Sequence, residues 1–113
     1  MPAGSPYDGP LYLLVDGGCF SACEDLLIVF KDNHRAVLVG ERTAGSSGQP
    51  YGRDLGDGMG LGLSTKRMYA PDGGAFEGVG IAPDVEVHAT VEDLRSGRDP
   101  VLARVRALIR ASQ

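Results

Sequence analysis

The chain has 113 residues, which suits one domain with a modest core. A hydrophobic fraction of 42% and a charged fraction of 23% indicate a globular protein rather than a disordered one. The net charge of −4 and the lack of a basic stripe argue against a nucleic-acid partner, and no apolar run approaches the ~20 residues that span a bilayer. Residues 1–10 contain no signal-peptide pattern, and we interpret them as a linker before a domain at 11–113.

A strand, a helix and a second strand are predicted in the first third of the chain. Both 11–15 and 36–39 are short, continuous apolar runs, which are typical of strands buried on both faces. Between them, apolar residues recur at helical spacing from Ser21 to about Asn33. This order predicts a right-handed βαβ unit with parallel strands. Ser21 at the helix start and Glu24 three residues later also match a capping box.

The remaining part of the chain contains shorter elements. A polar, glycine-rich stretch has room for one short strand near 50–55, and alternating apolar residues predict strands around 60–69. A further short strand is expected at 85–88. Asp99 followed by Pro100 predicts the start of a final helix, because Asp is a favourable N-cap and Pro suits the first helical position.

The turn between the first strand and the helix can carry chemistry. A serine at this junction lies near unpaired amide donors and the positive end of the helix dipole, which can stabilise the oxyanion of an acyl-transfer intermediate. Ser21 occupies that position. The alternative is a serine that only caps the helix, and the local pattern alone favours the cap.

Three longer stretches, in order, carry a resemblance to a known family. They are VDGGCFSACE at 15–24, VGERTAG at 39–45 and EGVGIAPDVEV at 77–87. Together they resemble the nucleophile region and C-terminal signature of tail-specific (C-terminal processing) proteases and of the related tricorn-core type of serine peptidase. The resemblance implies an α/β fold, namely the last part of a crotonase-like spiral of ββα units, followed by a C-terminal helix.

The resemblance also implies roles for particular residues. Ser21 falls at the nucleophile position, the backbone amide of Ala22 would donate to the oxyanion, and Glu77 resembles a glutamate that helps to orient the site. The implied activity is serine-type endopeptidase action on a polypeptide substrate, without a cofactor or metal. One branch of the family carries a lysine 25 residues after the serine, but this chain has Ser46 there. It therefore resembles the tricorn-like branch, in which the general base is a histidine.

That histidine lies upstream in the family, in a segment that we expect this chain to lack. His34 follows the far end of the predicted helix, and a helix of about 12 residues is roughly 18 Å long. It is therefore out of reach of Ser21, and His88 is expected to face solvent at the end of the last strand. We expect the chain alone to be inactive, with the upstream part of the same catalytic domain as its necessary partner.

Two other kinds of function remain open from the sequence. A non-catalytic module that binds a peptide or a lipophilic ligand could share this fold. Cys19 and Cys23 flank Ser21 and could form a redox or metal module, by forming a local disulfide or binding a metal. Two small buried thiols that pack the turn are nevertheless the favoured interpretation.

The implied partial fold has a consequence for assembly. Cutting a spiral at this point exposes sheet edges and an apolar helix face, so a homo-oligomer or a partly mobile chain is expected. The compartment is left open, because tail-specific relatives work in the cell envelope and tricorn-like ones in the cytosol.

Overall fold

The computed structural model describes residues 4–112, which form five strands and three helices. In chain order they are β1 (Tyr12–Val15), α1 (Ala22–Asp32), β2 (Val37–Gly40), β3 (Pro50–Gly56), β4 (Met59–Ser64), β5 (Val85–Glu86), α2 (Val91–Ser96) and α3 (Pro100–Ala111). No helix among the described residues is long and apolar enough to cross a membrane.

A parallel sheet in the order β1-β2-β5 forms the centre of the fold. Leu13 lies opposite Leu38 in the β1–β2 register, and Val39 lies opposite Val85 in the β2–β5 register. The predicted parallel pairing of the first two strands is thus confirmed, while the handedness of the connection stays a prediction. The predicted strand at 85–88 is present but shorter.

Helices cover both faces of this sheet. Leu38 and Val39 are both 0% exposed, and successive strand residues point to opposite faces. Leu38 belongs to a cluster with Leu27 of α1 and Phe76. Helix α3 also packs on β1 and β2, and its Val105 is buried. Burial on both faces of the sheet, which the continuous apolar run predicted, is therefore confirmed for Leu38 and Val39 of the central strand. For β1 the same prediction is wrong, because its Leu14 is 46% exposed.

The hairpin formed by β3 and β4 projects from this body. Every residue of both strands is exposed. Tyr51 pairs with Leu63 and Arg53 with Leu61, which places these four side chains on one face of the hairpin. The radius of gyration is 17.8 Å, against about 13 Å for a compact chain of this length. The shape is therefore elongated, with an apolar hairpin face in solvent.

One helix, α2, was not predicted. Thr90 and Asp93 form a capping box at its start, and Gly97 ends it with φ 67°. Hydrogen bonds from the Thr90 side chain and backbone, then from Arg98, lower the pKa of Asp93 to about 2. The capping residues were visible in the sequence, but a six-residue helix without buried side chains has no apolar stripe to reveal it.

The mixed α/β class agrees with the prediction, whereas the crotonase-like spiral and the division at residue 10 stay predictions. Residues 1–3 of the predicted linker lie outside the described residues. Nearby, Arg35 donates hydrogen bonds to the carbonyls of Tyr7 and Gly9, and its guanidinium lies 5.8 Å from the centre of the Tyr7 ring. Residues 7–9 are thus held against the body of the domain.

Candidate active site

The turn between β1 and α1 places Ser21 in an unusual backbone conformation. Its φ is 55° and its ψ is −124°, a region that residues with a side chain rarely adopt. Such a conformation costs on the order of 1–3 kcal/mol and persists only where the surrounding structure enforces it. The Ser21 side chain makes no capping hydrogen bond, and the residue is exposed. The predicted capping box with Glu24 is therefore wrong.

The Ser21 turn is held from both sides by the segment after β2. The Ser21 N–H donates to the Ser46 carbonyl at 2.7 Å, and the Ala44 N–H donates to the Cys19 carbonyl at 3.0 Å. Cys19 and Cys23 form a disulfide across the turn. The interpretation of these cysteines as two buried thiols is wrong, and the alternative of a local disulfide is correct.

Ala22 begins α1, where backbone N–H groups have no partner within the helix. Its N–H donates to no acceptor among residues 4–112. Because the positive end of the helix dipole lies here, this amide suits a developing negative charge. The oxyanion role of Ala22 stays a prediction that this position supports.

Glu24 has a different task from the cap that the sequence suggested. It is 0% exposed, and its carboxylate accepts hydrogen bonds from Thr43 Oγ1 at 2.5 Å, Gly45 N at 2.7 Å and Ser46 N at 2.8 Å. These three donors offset the cost of burying a carboxylate. Glu24 therefore ties the first turn of α1 to the segment that holds Ser21.

A second layer of contacts joins that segment to residues further along the chain. Thr43 Oγ1 accepts from the Ile81 N–H at 2.7 Å, and the Gly45 carbonyl accepts from the Gly78 N–H at 2.7 Å. Gly45 has φ +72°, and a Cβ there would lie 2.5 Å from the Gly80 nitrogen. Only glycine allows the two backbones to approach this closely.

Glu77 reaches the Ser21 backbone through a single peptide group. Its carboxylate accepts from the Ser47 N–H at 3.1 Å. The carbonyl of the same peptide unit, that of Ser46, accepts the Ser21 N–H. The Ser47 hydroxyl also donates to Asp25 at 3.0 Å. The structure thus connects Ser21 and Glu77, which the sequence separates by more than fifty residues.

Neither histidine is placed to serve Ser21. His34 follows α1, whose 11 residues put it roughly 16 Å away from the helix start. The ring nitrogens of His88 lie 3.0 Å from a Glu86 oxygen and 3.4 Å from a Glu41 oxygen. Both nitrogens of His88 therefore face carboxylates rather than the serine.

The far end of α1 is anchored as well. Lys31 donates to Asp84 at 2.6 Å and to the Ala82 carbonyl at 2.9 Å, and Asp84 accepts from the Leu38 N–H at 2.8 Å. Partial burial raises the pKa of Asp84, but the hydrogen bonds from Lys31 and Leu38 outweigh it and leave that pKa below 3.8. The helix that carries Ser21 is thus held at its first and last turns.

Comparison with known proteins identifies the family. Residues 2–87 match the family described as Peptidase family S41. The chain belongs to peptidase family S41. An S41 relative, a carboxy-terminal-processing protease of Bartonella bacilliformis, is 31% identical over 93 residues, which cover 82% of this chain and 21% of the relative.

Solved structures extend the similarity to the S41 fold. Mature CPAF complexed with lactacystin has a TM-score of 0.82 at 28% identity, over 91% of this chain and 20% of that one. The tricorn protease has a TM-score of 0.80 at 28% identity, over 91% of this chain and 10% of that one. The resemblance to processing proteases and the tricorn type is confirmed. The chain spans about a fifth or less of the length of these proteins.

Proposed function

We propose that Ser21 is the nucleophile of a serine-type endopeptidase, and that this chain supplies the nucleophile-bearing part of the catalytic domain. The observation that carries the proposal is the backbone of Ser21, which is strained at φ 55° while its hydroxyl is exposed and caps nothing. Strain of this kind clusters at functional sites. Serines on sharp, strained strand-to-helix turns are nucleophiles in other hydrolases.

The proposed chemistry is acyl transfer from a polypeptide. Ser21 Oγ attacks a peptide carbonyl, its proton passes to a general base, and the amine half of the substrate leaves. Water then hydrolyses the acyl-enzyme. The Ala22 N–H donates to the oxyanion, and Glu77 acts as a positioning residue through the peptide that holds Ser21. No step requires a cofactor or metal.

We propose that the general base comes from outside residues 1–113, as a histidine in the upstream part of the same catalytic domain. The geometry of His34 and His88 supports this, since neither ring reaches Ser21. An extended substrate could pair with β1, which lies at one edge of the sheet.

The test is fluorophosphonate labelling of this chain, alone and after addition of the upstream segment of its parent. We expect labelling only in the combined sample and none with Ser21→Ala. Glu77→Ala should slow labelling by about tenfold or more, because the Ser47 N–H loses its acceptor and the peptide that holds Ser21 loses its anchor. Glu86→Ala, which removes the same side chain at an exposed site, should label like wild type. Labelling that survives Ser21→Ala would refute the proposal.

A second candidate is a non-catalytic binding module on the same fold. It is favoured by the lack of a histidine within reach of Ser21 among residues 4–112. The same experiment separates the two, because a complete parent protein that does not label would support the binding module.

A further inference from the structure

The Cys19–Cys23 disulfide closes a five-residue ring with Ser21 at its centre. The two sulfurs differ in surroundings, because Cys19 is 8% exposed and part of the core cluster whereas Cys23 is an exposed residue. A reagent in solution therefore meets this bond from the Cys23 side, next to the serine.

The ring encloses the strained part of the backbone. Within it, the Cys23 N–H donates to the Phe20 carbonyl at 3.2 Å, and the Ser21 N–H donates out of the ring to Ser46. A disfavoured φ persists only where neighbouring structure leaves the residue no alternative. A covalent link from Cys19 to Cys23 removes open conformations of the turn that its hydrogen bonds alone would permit.

We infer that the Cys19–Cys23 disulfide is a thiol–disulfide exchange site for dithiol reductants, and that its oxidised form holds Ser21 in the conformation needed for attack. Reduction releases the turn, lets the φ of Ser21 relax and lowers its reactivity. The inference rests on the proposed function, because it regulates the same serine.

Exchange with a dithiol takes two steps. A thiolate of the dithiol attacks Cys23 Sγ, the bond between the two cysteines breaks, and Cys19 leaves as a thiolate that takes up a proton. The second thiol of the reductant then attacks the mixed disulfide and releases Cys23 as a thiol. Two electrons and two protons pass to the protein, and the reductant becomes a disulfide. An oxidising disulfide reverses both steps.

The experiment compares the complete parent protein before and after incubation with dithiothreitol. Alkylation and mass measurement count the thiols, fluorophosphonate labelling gives the reactivity of Ser21, and hydrogen exchange reports on the amides of residues 19–23. We expect two new thiols, about a tenfold or larger loss of labelling rate, and faster exchange of the Ser21 amide. Reoxidation should restore all three.

The matched control is the double variant Cys19→Ser and Cys23→Ser. Its labelling rate should equal that of the dithiothreitol-treated wild type and should not change when dithiothreitol is added. Its circular dichroism spectrum should match that of wild type. An unchanged labelling rate after both thiols are counted would overturn the inference, as would a variant that still responds to the reductant.

Failure of the proposed function gives a different result from failure of the inference about the disulfide. If the oxidised parent does not label at all, Ser21 is not a nucleophile and the proposed function fails. Hydrogen exchange then decides the inference alone: faster exchange at residues 19–23 on reduction supports an exchange site that loosens the turn, and unchanged exchange overturns it.

Discussion

Glu24 and Thr43, nineteen positions apart, share a buried hydrogen bond of 2.5 Å that joins the first turn of the serine-bearing helix to the segment after the central strand. The Thr43 hydroxyl donates to the carboxylate and accepts from the Ile81 N–H. One side chain therefore links three parts of the chain.

Removing the Glu24 carboxylate should destabilise the protein strongly. Glu24→Ala leaves two buried donors and one partly buried donor without an acceptor, and we expect a loss on the order of 3 kcal/mol in the free energy of unfolding. Glu24→Gln should lower the free energy of unfolding by a smaller amount, because its amide oxygen still accepts a hydrogen bond. Some loss remains, because its NH2 group faces donors. Urea denaturation measures both. The exposed first-turn residue Glu92, as Glu92→Gln, is the control, and a Glu24→Ala loss equal to that control would contradict the role.

Because the backbone at Ser21 is strained, we expect glycine at this position to raise the stability of the protein relative to alanine. Ser21→Gly should be more stable than Ser21→Ala by about 1 kcal/mol, because glycine adopts φ 55° without a penalty that alanine retains. Both variants remove the hydroxyl, so the difference between them isolates the backbone. Thermal denaturation of the pair would show it, and equal stability would mean that the turn is relaxed.

The ion pair between Lys31 and Asp84 predicts that the stability of the protein depends on pH in the acid range. The folded pKa of Asp84 lies below 3.8, so its contribution to stability is complete above that value and is lost as the pH falls through the folded pKa. The contribution should be under about 1 kcal/mol, since both side chains are more than a third exposed. Wild type should therefore lose stability more steeply below pH 3.8 than Asp84→Asn. Denaturation across acid pH, with Asp57→Asn as the control for charge, measures the slopes.

The apolar face of the hairpin predicts self-association of the isolated chain. Leu61 and Leu63 are 41% and 54% exposed on that face. Replacing both with serine should weaken self-association by about tenfold or more, because less apolar surface leaves water. Sedimentation velocity over a concentration series measures this. Val91→Ser, at an exposed apolar site on α2, should leave association unchanged, and a monomeric wild-type chain would contradict the prediction.

The sequence predicted the part of the fold whose periodicity is unambiguous. Continuous apolar runs revealed β1 and β2, and helical spacing revealed α1, because burial on defined faces leaves a pattern. The predicted strand near 50–55 corresponds to β3, while the one at 60–69 ends at Ser64. Because the residues of this hairpin are exposed, their sequence shows no clear pattern of buried apolar residues from which the ends of the strands could be predicted.

The sequence was enough to propose the position of the candidate site but not its geometry, and the catalytic roles of Ser21 and Glu77 stay predictions. The strand–serine–helix order and the family motifs pointed to Ser21, and Glu77 emerged from the motifs as well. The burial of Glu24 could not be foreseen, since its three donors lie about twenty residues away. The disulfide stayed one of several alternatives, because spacing alone does not distinguish it from two thiols.

The order of elements has a consequence for how the protein folds. β1, α1 and β2 are close in sequence, but the contacts from Glu77, Gly78 and Ile81 to the segment that holds Ser21 come from far along the chain. Distant contacts form late, because their loop must close first. Ser21 is therefore synthesised before the residues that support it and acquires its supported conformation only after the residues preceding β5 have docked, so a chain cut between them would contain Ser21 without these contacts.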